Sequence, residues 1–120
     1  MTKDNDDFYA SADAKKSKII KLTAKKFNKE IKNMCNGFLV VYAIWCGHCR
    51  NQSEVWKTIS KEFHNVYPVY VIDGDNKENF KLMDKLGVEH FPTIFKIKHG
   101  KIMPYLGSVN KDNLVLSIYS

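Results

Sequence analysis

The sequence predicts an α/β fold in which a central mixed sheet carries helices on both faces. Residues Phe38–Ile44 form an unbroken apolar run, FLVVYAI, typical of a strand that is covered on both sides. An amphipathic stretch over residues 47–63 then leads to a second β-rich run, Val66–Ile72, and this order predicts a crossover unit. Near the end, His99-Gly100-Lys101 joins two β-rich segments as a hairpin, which adds an antiparallel strand.

The chain before the apolar run is predicted to hold one strand and one helix. Lys18–Leu22 (KIIKL) fits a first strand. Thr23 is the expected N-cap of the helix, because its side chain accepts a hydrogen bond from a free N–H of the first turn. The apolar residues that follow at helical spacing are Phe27, Ile31 and Met34. Asn36-Gly37 ends this helix.

The middle of the chain is predicted as helix, strand, turn and helix. The helix over residues 47 to about 63 is marked by Val55, Ile59 and Phe63 at a spacing of four residues. Val66–Ile72 is the strand, and Asp73-Gly74-Asp75-Asn76 is the turn that follows it. The next helix is marked by Phe80, Met83 and Leu86 and ends at Gly87.

The last part of the chain is predicted as a hairpin and a short helix. The two strands are Thr93–Lys98 and Ile102–Leu106. Pro104 has no amide donor, so its strand is expected at an edge of the sheet. The final helix is marked by Leu114, Val115 and Ile118. The resulting order, βαβαβαββα, begins with crossover units and closes with the hairpin.

Length and composition predict one domain with a short extension. A chain of 120 residues suits a single compact domain. Residues 1–16 are polar and lack apolar periodicity, so we expect a flexible polar N-terminal arm, followed by the domain over residues 17–120. No stretch approaches the about 20 apolar residues of a transmembrane helix, and no apolar core of a secretory signal is visible.

The net charge of +6 is local. Residues 14–36 carry eight Lys against Glu30, whereas residues 37–120 carry ten basic and eight acidic residues. This distribution does not favour a nucleic-acid binder. Four lysines lie on or near one predicted helix, namely Lys21, Lys25, Lys29 and Lys32. We interpret them as a solvated face; docking to an acidic partner or to nucleic acid is the alternative.

The residues that carry chemistry are Cys46 and Cys49, at the junction of the buried strand and the long helix. The free N–H groups and the positive end of a helix dipole favour a thiolate at Cys46. Cys49, one turn further in, can fold back onto Cys46, while Gly47 leaves the approach to the sulfur open. A nucleophilic thiolate with a second thiol in reach is what thiol–disulfide exchange needs.

Half of a zinc site is the alternative interpretation of this cysteine pair. Zinc needs two more ligands, and the sequence has no second Cys-x-x-Cys. The remaining candidates do not offer a metal-binding spacing; they are Cys35, His64, His90 and His99. Cys35 is interpreted as a bystander thiol, with a regulatory or intermolecular disulfide as the alternative. The sequence therefore predicts redox chemistry without a metal.

Two stretches resemble a known family. Tyr42–Lys57 (YAIWCGHCRNQSEVWK) and Leu86–Lys101 (LGVEHFPTIFKIKHGK) are similar to thioredoxin-fold domains, in particular to the catalytic domains of protein disulfide isomerases. The resemblance covers residues from about 17 to 119. It implies the thioredoxin fold, with a central mixed sheet flanked by helices.

The resemblance also implies roles for individual residues. Cys46 is then the attacking cysteine and Cys49 the buried resolving one. Pro92 is expected in the cis form beside the sulfurs, with the backbone near Phe91 and Pro92 offering hydrogen bonds to a peptide substrate. Trp45 is expected to cover the sulfurs and give an apolar contact; the alternative is a core aromatic.

His48 lies between the two cysteines and is expected to tune their reduction potential. A protonated imidazole there stabilises the nearby thiolate, and hence the reduced form, which makes the disulfide more oxidising. We therefore expect a potential towards the isomerase and oxidase end of the family.

Two positions depart from the family pattern. Members commonly keep a buried carboxylate six residues before the first cysteine, where it accepts a proton from the resolving thiol, but here that residue is Val40. Asp73 or Asp75 is a candidate replacement; the alternative is that both acids only form a turn. Glu54 takes the place of a helix-kinking proline, so the helix is expected to be straighter.

These observations predict a thiol–disulfide oxidoreductase that acts on protein cysteines. It is expected to need no metal or organic cofactor, only cysteine-containing protein substrates and a redox partner protein, and to be a monomer without a membrane or nucleic-acid partner. The alternative is a thioredoxin-fold binding or structural module with weak turnover. The direction of catalysis is open on the sequence alone.

The expected location is the cytoplasm, because no leader is visible, or an ER-type lumen if a leader was removed. The WCGHC motif points to an oxidising compartment. A cytoplasmic DNA virus with its own disulfide pathway would reconcile these facts with the richness in Lys and Asn.

Overall fold

The computed structural model of the chain describes residues 7–120, and within that range five α-helices and five strands follow one another, with the last two strands adjacent in the chain. The strands are β1 (Ile20–Leu22), β2 (Asn36–Tyr42), β3 (Val69–Asp73), β4 (Thr93–Lys98) and β5 (Lys101–Pro104). The α-helices are α1 (Ala12–Lys16), α2 (Ala24–Glu30), α3 (Gly47–Phe63), α4 (Phe80–Leu86) and α5 (Lys111–Ile118). Two 3₁₀ turns, Ile31–Asn33 and Lys77–Asn79, complete the regular structure of this range.

The five strands form one mixed sheet in the order β1-β3-β2-β4-β5. β3 runs parallel to both β1 and β2, whereas β4 is antiparallel to β2 and to β5. Val40, at the centre of the sheet, pairs with Val71 on one side and with Ile94 on the other. Pro104 lies on the edge strand β5, where its missing amide donor costs no sheet hydrogen bond. The predicted mixed sheet and edge position are confirmed.

Side chains of β2 alternate between two buried clusters, one on each face of the sheet. Phe38, Val40 and Tyr42 belong to one cluster, and Leu39 and Val41 belong to the other. The first cluster is completed by residues from α3 and α5, namely Trp56, Ile59 and Leu114. The second is completed by residues from α2 and α4, namely Phe27, Leu82 and Met83. Helices therefore cover both faces, as predicted.

The ends of the helices follow local signals in the sequence. The Thr23 side chain accepts a hydrogen bond from the Lys26 amide at 3.2 Å and so begins α2 as predicted. Gly87 ends α4 with φ 74°, a left-handed conformation that glycine adopts without a Cβ clash. The helix predicted to reach Met34 changes to a 3₁₀ turn after Glu30.

The N-terminal segment (residues 7–16) differs from the predicted flexible arm over residues 1–16. Asp7, Phe8, Tyr9 and Ala14 are buried in the domain, and the segment contains α1. The rings of Phe8 and Tyr9 pack on Tyr42 with centroid separations of 5.4 and 4.8 Å. Two adjacent aromatic side chains bury enough apolar surface to hold a short segment that has no periodicity. Residues 1–6 of the predicted arm lie outside the described residues.

Candidate active site

The two cysteines lie where β2 ends and α3 begins. Cys46 is the N-cap of α3, and its Sγ accepts a hydrogen bond from the Cys49 backbone N–H at 3.2 Å. Both thiols are free. The sulfur of Cys46 thus pairs with one of the N–H groups that have no backbone partner at the start of a helix. The motif is therefore in the position that the sequence predicted.

The two thiols differ in burial and ionisation. Cys49 is 1% exposed and Cys46 is 7% exposed, while Gly47 and His48 between them are exposed. Burial, and after it the interaction with the Cys46 thiol, raises the pKa of Cys49 to about 12. Cys49 is thus the inner thiol, and its ionisation near neutral pH requires a group that stabilises the thiolate or accepts the proton. Gly47 faces open space, because no atom lies within 4 Å of the position that a Cβ would take there.

The loop before β4 forms the opposite wall of the site. The Cys46 thiol donates a weak hydrogen bond to the carbonyl oxygen of Phe91 at 3.8 Å. The Phe91–Pro92 peptide bond is cis, the conformation that the family resemblance implies. An open groove of about 590 Å³ lies alongside; its lining includes His48, Gln52, Val55, His90, Phe91 and Pro92. The structure thus brings His48 and both loop residues to one groove, and the Phe91 carbonyl connects this groove to the Cys46 thiol.

Trp45 is held at the rim of the site. Its side chain is exposed (66%), so the core-aromatic alternative is wrong. Its indole Nε1–H donates to the Asp75 carboxylate at 2.8 Å, and its ring meets that of Phe91 edge-on at 5.8 Å. This arrangement presents an aromatic face to solvent next to the cysteine motif.

The position at which the family carries a carboxylate is apolar here. Val40 is 1% exposed and belongs to the same buried cluster as both cysteines. Asp75 is engaged with Trp45, and Asp73 accepts the Asp75 backbone N–H at 3.0 Å. Burial raises the pKa of Asp73. Within residues 7–120, neither acid makes a hydrogen bond to a cysteine sulfur, and the replacement of the family carboxylate by Asp73 or Asp75 stays a prediction.

Sequence reasoning missed the residues that the N-terminal segment contributes. Asp7 is a buried acid, at 2% exposure. Its Oδ2 accepts hydrogen bonds from the Tyr42 hydroxyl at 2.7 Å and from Lys21 Nζ at 2.6 Å, and its Oδ1 accepts the Tyr9 N–H at 2.9 Å. Tyr9 lies in the cluster that holds both cysteines. The adjacent aromatic residues Phe8 and Tyr9, inside an otherwise polar stretch, were the sequence feature that could have indicated a buried segment.

Other predicted groups lie apart from the cysteine motif. Cys35 is exposed just before β2. Lys21 is ion-paired with Asp7, whereas Lys25, Lys29 and Lys32 are exposed on α2 and the turn after it. Glu54 lies within α3, which runs unbroken over 17 residues.

Residues 7–120 hold neither a metal-binding cluster nor a membrane-spanning helix. No group of three or more His, Cys, Asp or Glu side chains in this range is arranged to hold a metal ion. In the same range, no helix combines the length and the apolar character needed to cross a bilayer.

Sequence comparisons relate most of the chain to one family. Residues 18–120 match the family model described as Thioredoxin. Protein disulfide-isomerase A6 of Mesocricetus auratus is 36% identical over 110 residues, which cover 89% of this chain and 24% of that protein. Protein disulfide-isomerase MPD1 of Saccharomyces cerevisiae is 36% identical over 85 residues, which cover 70% of this chain and 27% of that protein. The chain thus spans about a quarter of the length of these curated relatives.

Solved structures show the same fold. The J-Trx1 fragment of ERdj5 matches with a TM-score of 0.76 at 20% identity, covering 93% of this chain and 55% of that one. Thioredoxin f from spinach chloroplast matches with a TM-score of 0.73 at 21% identity, covering 89% of this chain and 88% of that one. At these identities the likeness concerns the fold, and it confirms the fold that the resemblance implied.

Proposed function

Since this chain belongs to the thioredoxin family of thiol–disulfide oxidoreductases, we propose that it exchanges disulfides with cysteines of other proteins through Cys46 and Cys49. One observation carries the proposal. The Cys46 sulfur lies between the N–H groups that start α3 and the Phe91–Pro92 loop, with a hydrogen bond in each direction. A helix start favours a thiolate, and Phe91, whose carbonyl accepts from the Cys46 thiol, also lines the open groove.

In the proposed reduction of a substrate, the Cys46 thiolate attacks one sulfur of a disulfide. The Cys46–substrate bond forms, and the other substrate sulfur leaves with the electron pair and takes a proton. Cys49 then attacks Cys46, which releases the second substrate thiol and leaves a Cys46–Cys49 disulfide. Run backwards, the same steps oxidise a dithiol. Net bonds and electrons balance without a cofactor.

The groove beside Cys46 is proposed to hold an extended segment of the substrate protein. Backbone groups of Phe91 and Pro92 supply hydrogen bonds, the exposed Trp45 ring supplies apolar contact, and Gly47 adds no side chain to block the approach. A redox partner protein restores the starting state of the cysteine pair. A monomer is sufficient for this chemistry, because both cysteines lie in one chain.

We further propose that the protein works in the oxidising or isomerising direction. His48 is exposed next to Cys46, where its protonated form stabilises the Cys46 thiolate and the reduced state. We expect a reduction potential close to that of protein disulfide isomerase, about −180 mV. Thioredoxin has a reduction potential of about −270 mV, and the difference between the two corresponds to about 4 kcal/mol. Redox titration against glutathione measures it, and a potential at the thioredoxin value would overturn the direction.

Activity itself is tested by the reduction of insulin disulfides and the reoxidation of a reduced protein. The Cys46→Ser variant is the control, and it is expected to abolish both reactions. The Cys49→Ser variant is expected to accumulate a mixed disulfide between Cys46 and the substrate, visible as a mass increase that a reductant reverses. Equal activity of wild type and Cys46→Ser contradicts the proposal.

A thioredoxin-fold binding module with weak turnover is the second candidate, and Val40 favours it. An apolar residue at this buried position removes a general base, and a positioned base contributes about 10²- to 10⁴-fold to a rate. Reactive thiols together with insulin turnover far below that of thioredoxin would support the module. The cytoplasmic or viral location stays a prediction to which the relatives add nothing.

A further inference from the structure

We propose that the Tyr9 hydroxyl donates a hydrogen bond to the Cys49 sulfur when that thiol ionises, and so supports the resolving step at a site where Val40 offers no polar group. This inference rests on the proposed function, because it concerns the inner thiol of the same reaction. It assigns a chemical role to the N-terminal segment.

The N-terminal segment lies against the active-site helix next to the inner cysteine. The guanidinium carbon of Arg50, the residue after Cys49, lies 5.1 Å from the centroid of the Phe8 ring, a cation–π contact. The Tyr9 ring meets the Tyr42 ring edge-on at 4.8 Å. Tyr9 belongs to the same buried cluster as both active-site cysteines. The phenol ring is therefore packed in the core cluster that contains both cysteines.

Asp7 fixes the backbone from which the Tyr9 side chain extends. One carboxylate oxygen accepts the Tyr9 N–H at 2.9 Å, and the other accepts the Tyr42 hydroxyl at 2.7 Å and Lys21 Nζ at 2.6 Å. Three hydrogen bonds from two strands and one loop hold this carboxylate at 2% exposure. Tyr9 is thus anchored on both its backbone and its ring.

The Tyr9 hydroxyl is a buried donor that has no partner among the described residues. Tyr9 is 3% exposed, and its Oη makes no hydrogen bond within the described part of the chain. Buried hydroxyls are nearly always paired, and a role in redox chemistry is one of the physical reasons for an unpaired one. Burial, and after it the negative charge on Cys49, raises the pKa of Tyr9. The phenol therefore keeps its proton and acts as a donor.

In the resolving step, the Cys49 thiolate becomes the acceptor for the Tyr9 hydroxyl. Cys49 loses its proton to water, and its thiolate attacks Cys46 of the mixed disulfide. The Cys46–Cys49 bond forms, the bond from Cys46 to the substrate sulfur breaks, and the substrate sulfur leaves with the electron pair and takes up a proton. A hydrogen bond from Tyr9 stabilises the Cys49 thiolate, which burial otherwise disfavours. Tyr9 keeps its own proton throughout.

The test is Tyr9→Phe, which keeps the ring and removes the hydroxyl alone. A hydrogen bond to a charged group corresponds to about a tenfold effect or more. We expect the mixed disulfide with a cysteine-containing peptide to be resolved about tenfold more slowly at neutral pH, in a single-turnover experiment quenched with acid. Formation of the mixed disulfide by Cys46 is expected to keep its rate. A resolution rate equal to that of wild type overturns the proposal.

A second measurement separates this inference from the proposed function. In a Cys46→Ser background, which removes the thiol that interacts most directly with Cys49, the alkylation of Cys49 is followed against pH. Tyr9→Phe is expected to slow this alkylation about tenfold at each pH below the ordinary tyrosine pKa of 10.0, where the fold keeps its stability. This readout needs no turnover, so an unchanged curve refutes the role of Tyr9 even if the protein has no redox activity.

Tyr67→Phe is the matched control. Tyr67 is also a buried phenol of the same cluster, at 4% exposure, but its hydroxyl donates to the Ile97 carbonyl at 2.9 Å. Loss of the Tyr67 hydroxyl is expected to lower the free energy of unfolding. It should leave unchanged both the rate at which the mixed disulfide is resolved and the pH dependence of Cys49 alkylation. Equal slowing by both variants would assign the effect to general loosening of the core and refute the inference.

Discussion

At the scale of single residues, the site is defined by hydrogen bonds that no local pattern specifies. The Trp45–Asp75 bond joins positions 30 residues apart, and the Tyr42–Asp7 bond joins positions 35 apart. The Cys46–Cys49 contact, in contrast, follows from helix geometry over three residues. The position of the two thiols was therefore predictable from their spacing, whereas the side chains that surround them depend on the completed fold.

Asp75→Ala is expected to free Trp45 and weaken substrate binding. The bond from the indole to the carboxylate is solvent-exposed, so its loss should leave the free energy of unfolding nearly unchanged and raise the KM for a peptide disulfide about three- to tenfold. Steady-state kinetics measure the KM, and iodide quenching of fluorescence reports on Trp45, because Trp56 is fully buried.

The control for that variant is Asp84→Ala, which removes an equally exposed charge from α4. It is expected to keep the wild-type KM. If the two variants give the same KM, the position of Trp45 does not depend on Asp75.

At the scale of elements, the strands and helices were predictable because each has its own apolar period. The run before Cys46 became β2, and the four-residue spacing of Val55, Ile59 and Phe63 became α3. The N-terminal segment has no such period. Its burial depends on Tyr42, which lies more than 30 residues away, so a local pattern could not reveal it.

Asp7→Ala is expected to lower the free energy of unfolding by about 2–4 kcal/mol. The substitution leaves the buried Tyr42 hydroxyl and the Tyr9 N–H without their acceptor, and unpaired buried donors cost about 1–3 kcal/mol each. Lys21 is partly exposed and returns to water at little cost. Urea denaturation at neutral pH measures the change.

Asp13→Ala provides the comparison within the same segment. Asp13 is exposed in the first turn of α1, where an acid contributes less than about 1 kcal/mol. If Asp7→Ala and Asp13→Ala lowered the free energy of unfolding by the same amount, the burial of Asp7 would not contribute to stability.

Gly74→Ala is expected to disturb the loop that faces Cys46. A Cβ at this position would lie 2.4 Å from the Phe91 ring and 2.8 Å from a Val41 methyl group, so the ring must move. We expect a loss of about 1–3 kcal/mol in stability, as for other overpacked sites, together with a higher KM for peptide substrates. Thermal denaturation and steady-state kinetics measure these effects.

Gly47→Ala is the control for stability in that experiment. A Cβ at Gly47 meets open space, so the unfolding free energy is expected to stay at the wild-type value. Wild-type stability and KM in Gly74→Ala would mean that the turn after β3 does not support the Phe91 loop.

At the scale of the whole molecule, one core holds several phenols and an inner thiol away from water. Burial is the first cause of the raised pKa of Tyr9, Tyr42 and Tyr67, the last to about 12. In each case the folded state keeps a proton that the unfolded chain releases above its ordinary pKa of 10.0. The contribution of these groups to the free energy of unfolding is therefore fully present below pH 10.0 and is lost as the pH rises above it.

Alkaline unfolding is the expected result. Each such tyrosine lowers the unfolding free energy by about 1.4 kcal/mol per pH unit above the ordinary pKa, and Cys49 acts with the same sign. Urea denaturation from about pH 8 to about pH 11, followed by tyrosinate absorbance, measures the decline. In the Tyr67→Phe variant, the unfolding free energy should fall less steeply with pH, because one buried phenol is missing. A stability that is flat over this range contradicts the burial of these groups.

Domain boundaries drawn from sequence have a practical consequence for this protein. The family match begins at residue 18, so a recombinant fragment trimmed to that match would keep both cysteines and every strand. It would lose Asp7, Phe8 and Tyr9 and would expose the Tyr42 ring that they cover. Such a fragment is a poor substitute for the intact chain in biochemical work, since the buried cluster that contains both cysteines would be open to water beside Tyr42.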